Sequence, residues 1–268
     1  MFWGRSKMLQ HLDFTGKSAL IMGASRGIGL ATAKTLAAYG ASVTLTARSY
    51  ESVAAAAGDI TAGGGRAWAQ VCDVSQYTSV QSAVAACLAT TGKIDFLINN
   101  AGVIEPLSHL IESDPVEWTQ AADINFKGVY YCMRAALPHM REDGGGIVVN
   151  ISSGAANSAL VGWSHYCSTK AAAKKLTEVA HKELRQHNIR VVGLSPGTVA
   201  TDFMAKIRDS KINAVSDLDW SNHIPPHWAA EAVAFLCGDG GEAFAGTDFS
   251  IKTDEGRKLV GLPINRSS

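Results

Sequence analysis

The sequence predicts an α/β fold, a three-layer sandwich built around a doubly wound, seven-stranded parallel sheet. From Ser18 to about Cys237, short β-rich apolar runs alternate with longer Ala-rich helical stretches, the pattern of parallel strands joined by crossover helices. The runs Ile147-Val148-Val149 and Val191-Val192 are continuous and do not alternate with polar residues, as strands covered on both faces require. The first strand also runs directly into a turn rich in glycine, and that turn opens a helix.

Taken in order, the first strand is Ser18–Met22, followed by the turn Gly23-Ala24-Ser25-Arg26-Gly27-Ile28-Gly29. The helix over Ile28–Tyr39 carries apolar Ile28, Leu30, Ala31, Ala33, Leu36 and Ala37. Strands Ser42–Thr46, Ala67–Val71 and Phe96–Asn99 then alternate with helices Tyr50–Ala62 and Val80–Thr91. A long helix, Pro115–Met140, precedes strand Ile147–Ile151, and helix Tyr166–Gln186 precedes strand Arg190–Leu194. Helix Ala229–Cys237 and strand Phe249–Ile251 complete the series. Several helices are opened by Asp, Ser or Pro and closed by Gly. The polar, Trp-bearing segment Asp202–Pro226 breaks the rhythm just beyond a strand's carboxyl end, where ligands bind in open α/β sheets. It reads as a substrate lid. No repeat or low-complexity linker divides the 268 residues, so one domain is expected, with residues 1–14 as a leader.

The charge balance is even, 24 basic against 24 acidic residues, so no global field draws the chain to nucleic acid or anionic lipid. A small-molecule partner is expected. Cys72, Cys87, Cys132, Cys167 and Cys237 are odd in number, scattered, and free of any C-x-x-C pair, which argues against a disulfide framework and suits a reducing cytoplasm. The leader carries Arg5, Lys7, His11 and Asp13 with no apolar run of signal-peptide length, and no stretch approaches 18 uninterrupted apolar residues. Neither export nor a membrane partner is expected. In His223-Ile224-Pro225-Pro226-His227 the prolines prevent the helical spacing of a zinc pair, so no metal is expected. There is no G-x-S-x-G elbow for a hydrolase.

Chemistry concentrates in two places. Small residues at Gly23, Gly27 and Gly29 let a backbone approach a pyrophosphate, whose charge then faces the first N–H groups and dipole of the helix. In Tyr166-Cys167-Ser168-Thr169-Lys170, residues four apart share one helix face, so an ammonium would lie beside a phenol and lower its pKa. A phenol so tuned could supply the proton that an alkoxide needs after hydride transfer to a carbonyl.

The spacing G-x-x-x-G-x-G, with Tyr-x-x-x-Lys downstream, resembles the short-chain dehydrogenase/reductase family, and the resemblance covers nearly the whole chain. Asn99-Asn100-Ala101-Gly102 follows the fourth strand and resembles the family's N-N-A-G segment, implying cofactor contacts at Asn100, Ala101 and Gly102. Cys72-Asp73-Val74 resembles the adenine contact, with the Asp73 carboxylate accepting from the amino group and Val74 beside it. Ser195-Pro196-Gly197-Thr198, with Val199 and Thr201, resembles the segment that holds the nicotinamide carboxamide. Ser153 stands thirteen residues before Tyr166, the family's serine-to-tyrosine spacing, and Asn125 matches the asparagine that holds a water on the lysine. The resemblance thus implies a Rossmann-type fold and the catalytic set Asn125, Ser153, Tyr166 and Lys170, with Tyr166 and Lys170 also touching the cofactor. Ser152 is expected to point away from the site.

The family's NAD-type acid would fall at Ala47, and Arg48 follows it. With Arg26 inside the glycine turn, two guanidiniums could bind a 2′-phosphate, and Ser25 and Ser49 could add hydroxyl donors. NADP(H) is therefore expected over NAD(H), as in NADP(H)-dependent carbonyl and 3-oxoacyl reductases. A pocket of Ser153–Asn157, Leu160–Trp163, Phe203, Met204 and Trp220, with His165 at an exposed helix start, is apolar and lacks a cationic cluster. The expected substrate is a neutral ketone, aldehyde or secondary alcohol. The rivals are an NAD(H)-dependent alcohol dehydrogenase and a catalytically silent dinucleotide-binding scaffold or redox sensor. The resemblance also implies a homodimer or homotetramer through helices Pro115–Met140 and Tyr166–Gln186, where Ala171, Ala172 and Ala173 allow close approach. Two departures stand out: Met22 replaces the threonine that braces the glycine turn, and Asp254-Glu255-Gly256-Arg257 replaces an Asp-Gly-Gly ending.

Overall fold

The structure is a computed structural model that describes Leu9 and residues 11–264; the leader residues Arg5 and Lys7 lie outside that range. Its strands are β1 Ser18–Met22, β2 Ser42–Ala47, β3 Arg66–Val71, β4 Phe96–Asn99, β5 Gly146–Ile151, β6 Ile189–Ser195 and β7 Asp248–Ser250. Each lies within one residue of the sequence expectation. They form one parallel sheet in the order β3-β2-β1-β4-β5-β6-β7. Strand order reverses between β1 and β4, which opens a crevice at their carboxyl ends, the place where ligands bind in doubly wound sheets.

The helices are α1 Gly27–Ala38, α2 Tyr50–Ala62, α3 Tyr77–Thr91, α4 Pro115–Ala122, α5 Gly128–Glu142, α6 Ser164–Leu184, α7 Asp202–Ser210, α8 Pro226–Cys237 and α9 Asp254–Val260. One core layer packs Leu36 of α1, Val53 of α2 and Val233 of α8 against Val43, Leu45 and Val192 of the sheet. The opposite layer packs Val80 of α3, Met133 of α5 and Ala173 of α6 against Leu20, Leu97 and Val148. Strand residues of alternate parity thus feed opposite layers, which is why the β5 and β6 runs are apolar throughout.

Four expectations change. The long helix is not a uniform α-helix: Asp123–Lys127 forms a π-helical turn between α4 and α5, and α5 continues to Glu142. The lid contains a helix, α7, whose buried Met204 and Ile207 face inward while its other side is polar. Helix α9, which follows β7, went unread because seven residues, two of them acidic and two basic, carry little periodic signal. The end of the leader belongs to the core, with Leu9, Leu12 and Phe14 buried and Phe14 edge-on to Phe96 at 5.0 Å.

Candidate active site

The glycine turn sits where β1 ends beside β4. Gly23 has φ +79°, and a Cβ there would stand 2.8 Å from the Ala101 Cα. A Cβ on Gly29 would stand 2.2 Å from the Gly23 carbonyl oxygen. Met22 is fully buried, its sulfur accepting from the Thr46 hydroxyl at 3.4 Å; the threonine that supports the turn comes from the neighbouring strand. Thr46 Oγ1 donates to the Ile21 carbonyl at 3.1 Å, and the Thr46 carbonyl accepts from the N–H groups of Gly23 and Ala24 at 3.1 and 2.8 Å. Asn100 Nδ2 adds a 2.6 Å bond to the Gly23 carbonyl. Arg26 is the N-cap of α1 with no side-chain cap bond, and the first turn carries no acid. The first N–H groups of α1 and its positive pole therefore suit an anion, and the glycine cradle suits the pyrophosphate of a dinucleotide.

At the end of β2, Arg48 and Ser49 are exposed. Ser49 is not a free donor: its hydroxyl caps α2 by accepting from the Ser52 N–H at 3.4 Å and donates to Glu51 Oε2 at 2.8 Å. Backbone and Ser49 hydrogen bonds hold the Glu51 carboxyl below its ordinary pKa. Arg26 lies 3.6 Å from Asp202, but both side chains are 71% exposed, so the pair contributes little and leaves Arg26 able to move. Asp73 Oδ1 is committed to the Ser75 N–H and hydroxyl at 3.0 and 2.7 Å, which leaves its second oxygen for an adenine amino group.

The four residues expected to do chemistry gather at the carboxyl ends of β4 and β5. Asn125 lies in the π-helical turn and is fully buried. Such turns insert one extra residue and recur at functional sites. Its Oδ1 accepts from the Val103 N–H at 2.8 Å and its Nδ2 donates to the Val103 carbonyl at 2.9 Å. Asn125 therefore orders the loop after β4, and the second lone pair of Oδ1 and the second Nδ2 proton remain for a water shared with Lys170. A Cβ on Gly102 would meet Asn125 Oδ1 at 3.2 Å and Lys170 Nζ at 3.9 Å, so that glycine keeps the space between them open.

Lys170 Nζ donates to the Ile151 carbonyl at 2.8 Å and stands 5.7 Å from the centre of the Tyr166 ring. The ring is packed edge-on against Trp163 at 5.7 Å and against Phe203 at 5.6 Å. Ser153 caps the short turn that follows it, accepting from the Ala155 N–H at 3.2 Å. Burial pushes the Tyr166 phenol up to about 12, and its bond with Ser153 pulls weakly the other way. Burial, which disfavours the phenolate, thus acts against the depression expected from Lys170. Burial also lowers Lys170 to about 8, with Asp248 acting in the opposite direction.

Ser152 points to the other side of β5, donating to Asp248 Oδ2 at 2.6 Å. His165 is not at an exposed helix start: it is buried, its Nε2 lies 2.7 Å from the Ile104 carbonyl, and burial lowers its pKa. In the next segment Pro196 is buried, Gly197 has φ +81°, and Val199 pairs with Ile224 across the base of the lid. Thr201 stands at the N-cap position of α7 without a side-chain cap bond, its hydroxyl donating to the Val199 carbonyl at 3.1 Å, and approaches the glycine turn, its Cγ2 lying 3.3 Å from where a Gly27 Cβ would stand. Met204 and Ile207 of α7 join Ile104, Ala155, Trp163 and Tyr166 in one apolar cluster, with Leu160 and Phe203 at its edge. Lys206 of α7 forms an ion pair with Glu105 across the same opening. Trp220 lies outside that cluster, against Arg208 and His223. Thr46 and Asp248 were missed from the sequence because their roles come from contacts between neighbouring strands.

Among the described residues, no group of three or more His, Cys, Asp or Glu is placed to hold a metal, and no helix is long and apolar enough to cross a membrane.

The family model described as short chain dehydrogenase matches residues 17–212. Gluconate 5-dehydrogenase of Gluconobacter oxydans is 38% identical over 195 residues, covering 73% of this chain and 76% of that protein. The 7alpha-hydroxysteroid dehydrogenase of Escherichia coli is 30% identical over 233 residues, covering 85% of this chain and 89% of that protein. Among solved structures, an NAD+-bound xylitol dehydrogenase aligns with a TM-score of 0.82 and 28% identity over 89% of this chain and 98% of its own. A 7alpha-hydroxysteroid dehydrogenase complexed with NADH and 7-oxo glycochenodeoxycholic acid aligns with a TM-score of 0.79 and 27% identity, covering 90% and 94%.

Proposed function

Because the chain belongs to the short-chain dehydrogenase family and is an oxidoreductase of alcohol and ketone groups, we propose that it interconverts a neutral ketone or aldehyde with its alcohol, using NADP(H) and Tyr166 as general acid and base. The observation that carries this reading is the convergence of Ser153, Tyr166 and Lys170 beside the apolar cluster at the carboxyl end of β5. NADPH, when bound, supplies the hydride to the carbonyl carbon. The chain's own groups then do the rest. The cluster around Trp163 and Met204 excludes water and receives apolar substituents. The Ser153 hydroxyl and the Tyr166 phenol donate to the substrate oxygen, steadying negative charge as it develops. The phenol proton passes to that oxygen, and Lys170, beside the ring, stabilises the phenolate left behind.

The cofactor contacts proposed are Gly23, Ser25, Arg26, Gly27, Ile28, Gly29, Arg48, Asp73, Val74, Asn100, Ala101, Gly102, Tyr166, Lys170, Pro196, Gly197, Val199 and Thr201. The carboxylate of Glu51, held near the end of β2 by Ser49, supports a second reading in which NAD(H) is preferred. Parallel NADPH and NADH titrations of the wild type and of Arg26→Ala/Arg48→Ala separate the two. Loss of charge-assisted bonds worth about 1.5–3 kcal/mol is expected to raise the NADPH Kd about tenfold or more, with the NADH Kd little changed. Equal weakening of both, or tighter NADH in the wild type, would refute the NADP assignment.

Assembly as a homodimer or homotetramer is supported by apolar side chains on the outer helices, Val116 of α4 at 76% exposed, Tyr130 of α5 and Val179 of α6. Light scattering is expected to give at least a dimer; a monomer at micromolar concentration sinks the idea.

A further inference from the structure

Asp248 opens β7 at the edge of the sheet, partly buried, and its two oxygens differ. Oδ2 accepts the 2.6 Å bond from Ser152 Oγ, whereas Oδ1 is buried with no hydrogen-bond partner. A carboxylate oxygen in that state is costly to keep, since neither water nor protein repays its lost hydration. Its room is made by Gly193, the register partner of Asp248 on β6: a Cβ there would stand 1.7 Å from Oδ1. Ser152 in turn stands between Ile151, whose carbonyl receives Lys170, and Ser153, whose hydroxyl meets the Tyr166 phenol.

Resting on the function proposed above, we propose that Asp248 is a positioning residue for that site: it pins Ser152, and with it the Ile151 carbonyl that anchors Lys170, and its negative charge holds Lys170 as an ammonium. Buried alone, that lysine tends to lose its proton, and burial does lower it to about 8 while Asp248 opposes the shift. Burial raises the Asp248 carboxyl; Ser152, Lys174 and Lys170 pull it back, and Glu178 pushes it up. The facing groups are therefore Ser152 on β5, uncharged Gly193 on β6, and Lys170, Lys174 and Glu178 on α6. Lys174 is itself held by Asn157 at 2.7 Å, and Glu178 is paired with Lys175, so Asp248 is left as the acid that acts on Lys170.

The test is the pH profile of NADPH-dependent carbonyl reduction in the wild type, Asp248→Asn and Ser152→Ala. Activity that needs the Lys170 ammonium falls as pH rises through its pKa. Without the negative charge that alkaline limb should move to lower pH, by on the order of one pH unit, and the rate should approach the wild type at the acidic end. Ser152→Ala keeps the charge and should lower the rate with the limb in place. A limb unmoved in Asp248→Asn, or one fractional loss at every pH, would overturn the proposal. Carbon-13 NMR titration of the Lys170 Cε reads the same shift without turnover. If the wild type reduces no carbonyl, the proposed function fails, and the NMR midpoint alone decides the role of Asp248: lower in the variant supports it, unchanged refutes it. Asp248→Ala, smaller and uncharged, should show the same displacement if the amide variant does not fold.

Discussion

Tyr166→Phe is expected to lower carbonyl reduction about 10²–10⁴-fold, the usual contribution of a positioned general acid, while leaving NADPH binding nearly intact. The two effects separate because the phenol oxygen and the ring have different roles. The ring fills the space between Trp163 and Phe203, and phenylalanine keeps that packing. The hydroxyl is the group next to Ser153 with a proton to give, and Lys170 cannot substitute for it because its ammonium is anchored on the Ile151 carbonyl. Fluorescence titration of NADPH reports binding, and loss of dihydronicotinamide absorbance reports turnover. A fully active Tyr166→Phe enzyme would remove Tyr166 from the mechanism.

Gly29→Ala should weaken dinucleotide binding strongly, by a different route. The added methyl must occupy a point 2.2 Å from the Gly23 carbonyl oxygen and 2.5 Å from Asn100 Nδ2, atoms that are themselves hydrogen-bonded at 2.6 Å. Neither is the tip of a long side chain, so the turn has to shift and the Asn100 bond has to break. Overpacking of this kind costs about 1–3 kcal/mol in stability, and the displaced turn no longer aims the N–H groups of α1 at a pyrophosphate. Weakening of NADPH binding by about a hundredfold or more corresponds to some 2.8 kcal/mol of lost contacts. Gly58→Ala is the matched control. Gly58 lies inside α2 with no neighbouring atom within 4 Å of an added Cβ, so the change should stabilise by about 0.5–1 kcal/mol and leave binding alone. Wild-type affinity in Gly29→Ala would mean that the turn is not the pyrophosphate seat.

What could be read from the sequence divides along a physical line. The strands and the glycine turn were legible because they rest on local chemistry: apolar runs, turn residues, and glycines between a strand and a helix. The Tyr166–Lys170 pairing was legible for the same reason, four residues on one helix face. The bracing of the turn was not, since Thr46 replaces the missing threonine from across the β1–β2 ladder. The π-helical turn at Asn125 was hidden too. Helix propensity does not distinguish one extra residue in a turn, and Asn125 is tied there by Val103, 22 positions away. The upward push on the Tyr166 phenol was not legible either, because sequence shows the nearby lysine and not the burial that disfavours the phenolate. The burial of His165 was not legible because its partner, the Ile104 carbonyl, lies 61 positions back.

The proposed transfer of a hydride between NADP(H) and a neutral carbonyl gives this chain its function. It is tested most directly by following dihydronicotinamide absorbance while the enzyme is offered a panel of neutral ketones and aldehydes with NADPH, and in parallel with NADH. NADPH consumption is expected with members of that panel, at a kcat/KM above that seen with NADH. Tight dinucleotide binding without consumption of either cofactor across the panel would contradict it and point to a silent dinucleotide-binding scaffold.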